Sequence, residues 1–436
     1  MNFREEFPDY PSWNRILRNS ERLWTRYTTF IWDEKSGATM LIHKERVIHA
    51  MKKYGVEVLV GSMPENVTYL TDFWSFSHWL LKGTQTYAVF SADEKIAPYI
   101  VTPISDLDLA AIQEDCWVKD FVTFGKFFVE SPPQSALSPS EQRLKELFST
   151  AQRKENAVSA LVESLGERGL ARGRIAMDEM NIPAPLYRTI QEKLPDAEII
   201  DAYAILREIR AVKTLEEVRR LEKAAEITEK AFHKAIQHIR EGIRESDIAQ
   251  VFSTAIAEQG AAPALTCIGA GFRSAFPNVQ PSDYRMKKGD LIRFDIGCMY
   301  KNYYSDTARI AVLGKPTEKQ RSYYQAIKEG EDRALALIRP GARAAEIFEE
   351  AVKGVRQAGI PHYQRSHVGH GIGIECYDPP FLNRSSGHTL EEGMVVNVET
   401  PYYELGFGGV QVEDTLVVTK NGYRLLTQAD RNLFVL

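Results

Sequence analysis

Four carboxylates and one imidazole in the last third of the chain, Asp295, Asp306, His370, Glu399 and Glu413, are the residues whose types and spacing could do chemistry. Oxygen and imidazole donors suit first-row divalent ions and argue against a thiolate or iron–sulfur site. Two such ions balance four negative charges. A metal pair of that kind binds a water between its members, lowers its pKa toward neutrality and aims it at a carbonyl carbon. The chemistry expected is metal-assisted hydrolysis.

These side chains need elements that bring them together. Asp295 lies in Leu291-Ile292-Arg293-Phe294-Asp295-Ile296-Gly297 and Asp306 in Tyr303-Tyr304-Ser305-Asp306-Thr307-Ala308-Arg309-Ile310, which read as the arms of a hairpin. A turn centred between Tyr300 and Lys301 sets the two aspartates directly opposite each other, with Cβ atoms about 5 Å apart. Glu399 and Glu413 repeat the pattern around Gly406, where Gly406, Gly408 and Gly409 supply the positions a bulged turn needs. His370 follows as part of Gly369-His370-Gly371-Ile372-Gly373, whose glycines permit close backbone approach. Any one of these acids alone reads as a solvated strand residue. Four acids inside two apolar hairpins are costly unless paired or coordinated, and the joint pattern points to metal.

The chain has 436 residues, beyond the size at which a single core stops growing, and two domains are expected. Between residues 40 and 130, apolar runs such as Val58 to Val60 and Tyr99 to Val101 alternate with amphipathic stretches, the pattern of an α/β domain. Residues 131–140 read as a surface excursion, and Glu141 to Leu165 as helix. Thr214 and Glu217 form a capping box ahead of a long helix that Gly242 ends. A further helix is expected from about Lys315 to Ala358. The division falls at 1–205 and 206–436, and the second part reads as two α/β halves.

A net charge of −5 leaves no basic footprint for a nucleic acid or an anionic membrane. The N-terminal residues are charged and no stretch approaches the length of a membrane span, so the cytoplasm is the expected compartment. Cys116, Cys267, Cys298 and Cys376 show neither CxxC spacing nor a disulfide framework. Cys376, although near the acids, reads as a structural thiol.

At these residues the chain resembles the pita-bread metallopeptidases: prolidase (Xaa-Pro dipeptidase), aminopeptidase P, methionine aminopeptidase and the related creatinase. The segments FDIG, SDTAR, GHGIG, VET and VED occur in the family's order, while NVTYLTDF and EIRAVKTLEEVRRLEKAAEI resemble the creatinase-type N-terminal part. The resemblance implies an α/β chain of two domains, creatinase-like then pita-bread, and a homodimer. It implies that Asp295, Asp306 and Glu413 bridge or chelate two divalent ions, Mn or Co first and Zn or Fe as alternatives. His370 and Glu399 complete one shell, and Glu399 doubles as general base and acid. The substrate implied is the amide bond of a short peptide, of the Xaa-Pro type.

The chain departs from the family where substrate is held. Asn278, Ser366 and Tyr377 stand where histidines are usual, and Gln411 where an arginine is. Asn278 and Tyr377 still donate hydrogen bonds, and His367 supplies an imidazole one position from the expected place. Trp74 and Trp79 in the first domain are candidates to wall off a small substrate across a dimer. Arg309 reads as one half of a structural ion pair. Two other functions compete: a small-molecule enzyme of the same fold, such as a creatinase-like or ectoine-hydrolase-like C–N hydrolase or a dimethylsulfoniopropionate lyase, and a non-catalytic binding module, which has no need of five ligands.

Overall fold

The computed structural model describes residues 40–436 except 82, 84 and 134. Its first half is built on a seven-stranded sheet made of β1 (Val58–Gly61), β2 (Tyr87–Ser91), β3 (Tyr99–Pro103), β4 (Asp120–Phe124), β5 (Gln152–Lys154), β6 (Gly173–Met177) and β7 (Ala197–Asp201). The order is β5-β4-β3-β2-β1-β6-β7, antiparallel only at β1/β2 and β2/β3. Val58, Leu59 and Val60 are all buried, because helices cover both faces of such a sheet and its central strands need no polar alternation.

Glu141 to Leu165 is not one helix. Helix Pro139–Thr150 starts on a Ser138/Glu141 capping box, β5 intervenes, and Asn156 caps a second helix, Ala157–Glu167. The capping asparagine and the strand-forming pairing of β5 with β4 outweigh the helical propensity across the junction. The expected division at 205/206 falls inside the helix Tyr203–Ala211.

Helix Leu215–Ile236 begins on the Thr214/Glu217 capping box and buries Val218, Leu221, Ala225, Phe232 and Ala235. It ends before Ile239, short of the Gly242 expected to stop it. The stretch from Lys315 to Ala358 forms two helices, Glu318–Leu337 and Ala344–Gln357. Pro340 and Gly341, the latter at φ 84°, break it, since proline cannot complete the helical ladder.

The second half is built on a ten-stranded sheet. Its strands are β8 (Ala262–Ala270), β9 (Leu291–Tyr300), β10 (Tyr303–Tyr304), β11 (Thr307–Val312), β12 (Gly369–Gly371), β13 (Asp378–Phe381) and β14 (Val395–Glu399), then, after the small ribbon of β15 (Tyr402–Glu404) and β16 (Gly408–Val410), β17 (Glu413–Thr419), β18 (Gly422–Leu425) and β19 (Phe434–Val435). The central order β9-β11-β17-β14-β12 matters for the site, because each of these strands carries or adjoins one of the five candidate ligands. No helix among the described residues is long and apolar enough to cross a membrane.

Candidate metal centre

Register decides where the five side chains point. Ala308 on β11 pairs with Asp295 on one side and Glu413 on the other, and Glu413 pairs with Glu399. Asp295, Ala308, Glu413 and Glu399 thus form one row across four strands, and residues in one row share a face. Asp306 is two residues before Ala308, and His370 pairs with Asn397, two residues before Glu399, so the period of two puts both on that face as well. The methyl of Ala308 leaves room in the middle of the row.

The first hairpin differs from expectation. Asp295 opposes Ala308, not Asp306, because Tyr300 pairs with Tyr303 and the turn residues are Lys301 and Asn302, both left-handed at φ 47° and 67°. That is a two-residue hairpin turn centred one position later than expected, which slides the pairing by two and keeps both aspartates on the same face. The Glu399–Glu413 pairing is direct.

Asp306, His370 and Glu413 lie with ligand atoms within 4.8 Å of one another, all buried. His370 presents Nδ1 to the Gly371 carbonyl at 3.0 Å. With that nitrogen donating, Nε2 carries the lone pair; it has no hydrogen-bond partner and faces Asp306 Oδ2 at 3.8 Å. Burial lowers the imidazole pKa and keeps it neutral, the form that binds metal. A side chain at Gly369 or Gly371 would collide with the Asn397 or Pro379 carbonyl, at 2.0 and 2.1 Å, so only glycine lets the strands close around this histidine.

The acids are held in place from behind. Asn397 Nδ2 donates to Glu413 Oε1 at 2.8 Å and Gln411 Nε2 to Oε2 at 3.3 Å, while Thr415 Oγ1 donates to the Asp306 carbonyl at 2.8 Å. Arg309 donates to the Glu413 carbonyl at 2.7 Å and to Asp414 at 2.6 Å, tying β11 to β17. Oδ1 of Asp306 is buried without a partner.

Burial pushes the carboxyls of Asp306 and Glu413 well above the ordinary range, and the neighbouring acids push them further. Burial also lifts Asp295, to about 6, with Arg293 opposing. Glu399 moves the other way: burial opposes its charge, but His367, with Nε2 2.9 Å from Oε1, and Arg365 outweigh that and hold it low. An orphaned imidazole nitrogen, an orphaned carboxylate oxygen and uncompensated acids fit a divalent cation, whose charge would remove the repulsion.

The outer candidates sit unequally. Tyr377, 46% exposed, stacks on His370 with centroids 3.7 Å apart. Its carbonyl accepts from Arg207, and the next residue, Asp378, accepts from Arg210 at 2.9 Å, so the first half of the chain sets its position. Asn278 is exposed on the loop after Pro277. Trp74 and Trp79 stay within the first half: Trp74 packs on Phe76 and the Trp79 indole donates to Thr68 at 3.3 Å. Cys376 Sγ is 3.9 Å from Asp306 Oδ2, and burial raises its pKa, which keeps it a thiol. All four cysteines are free.

Arg293 escaped the sequence reading. Fully buried, it donates to Asp295 and Gln411, both at 2.9 Å, and to the Ser274, Phe276 and Pro277 carbonyls, and so connects Asp295 to the loop that carries Asn278. An arginine two residues before Asp295 in a strand of period two was the available signal. Arg293→Met is expected to weaken divalent-ion binding about tenfold or more, the cost of losing the partners that orient a ligand, as read by calorimetric titration; unchanged affinity would show that Asp295 needs no such support.

A sheet face that gathers carboxylates around an unpartnered imidazole has the donor set of a metal-dependent hydrolase. The model of metallopeptidase family M24 matches residues 219–420, and that of the creatinase/prolidase N-terminal domain residues 44–212. An Xaa-Pro dipeptidase of Pyrococcus furiosus is 38% identical over 231 residues, 52% of this chain and 66% of that protein. One from Pyrococcus horikoshii is 35% identical over 257 residues, 58% of this chain and 73% of that protein. The prolidase structure from Pyrococcus horikoshii OT3 superposes with a TM-score of 0.73 at 25% identity, over 89% of this chain and 99% of that one. The chain belongs to metallopeptidase family M24.

Proposed function

We propose that this protein is a dinuclear metal-dependent peptidase that cleaves the amide bond of a short peptide of the Xaa-Pro type. The observation that carries the reading is the single sheet face on which Asp295, Asp306, His370, Glu399 and Glu413 converge. Asp295, Asp306 and Glu413 would hold two divalent ions between them, with His370 and Glu399 completing the shell of one. Mn or Co suits these donors, as do Zn and Fe. Bound there, the ions supply a lowered water pKa and a polarised carbonyl.

The remaining work falls to side chains. Glu399, kept ionised by His367 and Arg365, takes a proton from the attacking water and delivers it to the leaving nitrogen. His367 fixes the orientation of Glu399. Tyr377, whose phenol burial and Glu399 keep protonated, donates to the substrate carbonyl oxygen, and Asn278 donates from the facing loop. In a homodimer Trp74 and Trp79 close the partner's cleft. Trp74→Ala and Trp79→Ala are then expected to raise KM several-fold at unchanged metal content, and unchanged kinetics would remove them from the site.

The test is hydrolysis of Xaa-Pro dipeptides and longer Xaa-Pro peptides by Mn- or Co-loaded protein, with chelated protein as control. Metal-dependent cleavage supports the reading. The second reading, a C–N hydrolase or lyase acting on a small non-peptide molecule, draws on Asn278, His367 and Tyr377 being the substrate-facing groups. Metal-loaded protein that leaves every peptide intact would favour it.

A further inference from the structure

Helix Tyr203–Ala211 closes the first half of the chain, and two of its arginines reach into the second half. Arg210, fully buried, donates through Nη2 to Glu375 and, at 2.9 Å, to Asp378 Oδ1. Arg207 donates through Nε to the same Asp378 oxygen at 3.3 Å and through Nη2 to the Tyr377 carbonyl. Its guanidinium also lies 5.6 Å from the ring of Phe381, the residue paired with His370. The loop from Glu375 to Asp378 is therefore gripped on both sides of Tyr377. Arg210 is itself held from the first sheet. Its Nη1 donates to Asn66 Oδ1, the Asn66 amide nitrogen donates to Asp178, and Asp178, directly after β6, accepts from the Ser62 and Met63 amides at 2.6 and 3.0 Å. One run of hydrogen bonds thus leads from the ends of β1 and β6 to the loop beside the acid face.

A buried ion-pair cluster of this kind is a poor stabiliser, because desolvation offsets most of the attraction between its charges. Here it also leaves Arg210 Nε and Asp378 Oδ2 without partners. What it fixes is orientation. Tyr377 needs that help: its side chain is half-exposed, its phenol makes no hydrogen bond among the described residues, and its closest ring contact is the stack on His370. A side chain held so little by its own contacts takes its direction from its backbone, and the backbone around Tyr377 is what the two arginines hold. Displacing the ring by about 1 Å would carry its hydroxyl away from a carbonyl presented at the acid face, and misplacement on that scale costs up to about 100-fold in rate.

We propose that Arg210, with Arg207, is a positioning residue for the reaction: through the loop from Glu375 to Asp378 it sets the Tyr377 phenol against the acid face, so that the first half of the chain takes part in catalysis within its own subunit. The proposal rests on the peptidase reading, in which Tyr377 donates to the substrate carbonyl. The experiment measures kcat, KM and bound Mn for Mn-loaded protein acting on glycyl-L-proline, in wild type, Arg210→Gln, Arg210→Lys, Tyr377→Phe and the double variant of Arg210→Gln with Tyr377→Phe. Arg210→Gln is expected to lower kcat about 10- to 100-fold with KM and Mn content little changed, and Arg210→Lys to recover part of the loss. In the double variant the Arg210→Gln effect should vanish, because no phenol is left to misplace. An unchanged kcat in Arg210→Gln, or losses that multiply in the double variant, would overturn the proposal. Should Arg210→Gln not fold, Arg207→Gln, at the more exposed of the two arginines, runs the same cycle. A second readout does not depend on turnover. In Zn-loaded protein with isotope-labelled histidine, the Tyr377 ring stacked on His370 shifts the imidazole proton resonances upfield, an effect that Tyr377→Leu removes and identifies. Arg210→Gln is expected to move those resonances toward their Tyr377→Leu positions, and resonances that stay in place would overturn the proposal. If wild type cleaves no peptide, the peptidase reading fails by itself, and this shift alone decides whether Arg210 sets Tyr377.

Discussion

Glu399→Gln is expected to lower kcat by about 10³-fold, within the range general acid–base groups supply, while KM moves little. Glutamine keeps the shape and hydrogen-bonding reach of the side chain but cannot accept and return a proton. The buried triad of Asp306, His370 and Glu413 is untouched, so the variant should still retain divalent metal. The electrostatics make the effect specific to this acid. Glu399 is the one member of the cluster held below the ordinary carboxylate range, by His367 and Arg365 against the penalty of burial, whereas Asp295, Asp306 and Glu413 are all raised. Steady-state kinetics with metal analysis checks it. A metal-loaded variant as active as the parent would remove Glu399 from the proton transfer.

The second large effect concerns the fold without its metal. In chelated protein the carboxyls of Asp295, Asp306 and Glu413 have folded-state pKa values above their unfolded ones, so the folded state binds more protons than the unfolded state in the interval between. The stability they contribute is complete below the unfolded carboxylate range, near pH 4, and is lost as pH rises through the raised folded-state values, about 6 for Asp295. For Asp295 alone, a move from 3.8 to about 6 corresponds to about 3 kcal/mol. The Tm of chelated protein should accordingly drop between pH 5.5 and 8, by about 1 °C from the part of the Asp295 contribution still present above pH 5.5 and further from Asp306 and Glu413. Saturating Mn should raise Tm, and more at pH 8 than at pH 5.5, because protons compete with metal for the same oxygens. Thermal unfolding with and without chelator across that range reads both. A metal-free Tm that climbs with pH, or an Mn effect larger at pH 5.5, would contradict the assignment of these acids to a cation.

The candidate ligands were legible because acids inside apolar strands violate the strand pattern, and violations of that kind are rare without a compensating ion. The capping box at Thr214 and Glu217 was legible for a local reason: both partners are three residues apart. The register of the first hairpin was not. It depends on Lys301 adopting a left-handed conformation, which nothing in its side chain announces, although Asn302 tolerates it. The break between Glu318–Leu337 and Ala344–Gln357 was written in Pro340 and Gly341 and was outvoted by the helical run on either side. Arg293, Asn397 and Arg365 escaped for a different reason. Their roles arise from contacts between strands and loops far apart in the chain, as when Arg293 reaches Gln411 across 118 positions.

The number of divalent ions bound per chain is the most direct test of the account. Equilibrium dialysis of chelated protein against Mn or Co, followed by elemental analysis, should give two ions per chain, falling to one or fewer in Asp306→Asn, the residue that reaches toward both. No bound metal in folded wild type, or Asp306→Asn that binds as much as its parent, would contradict it.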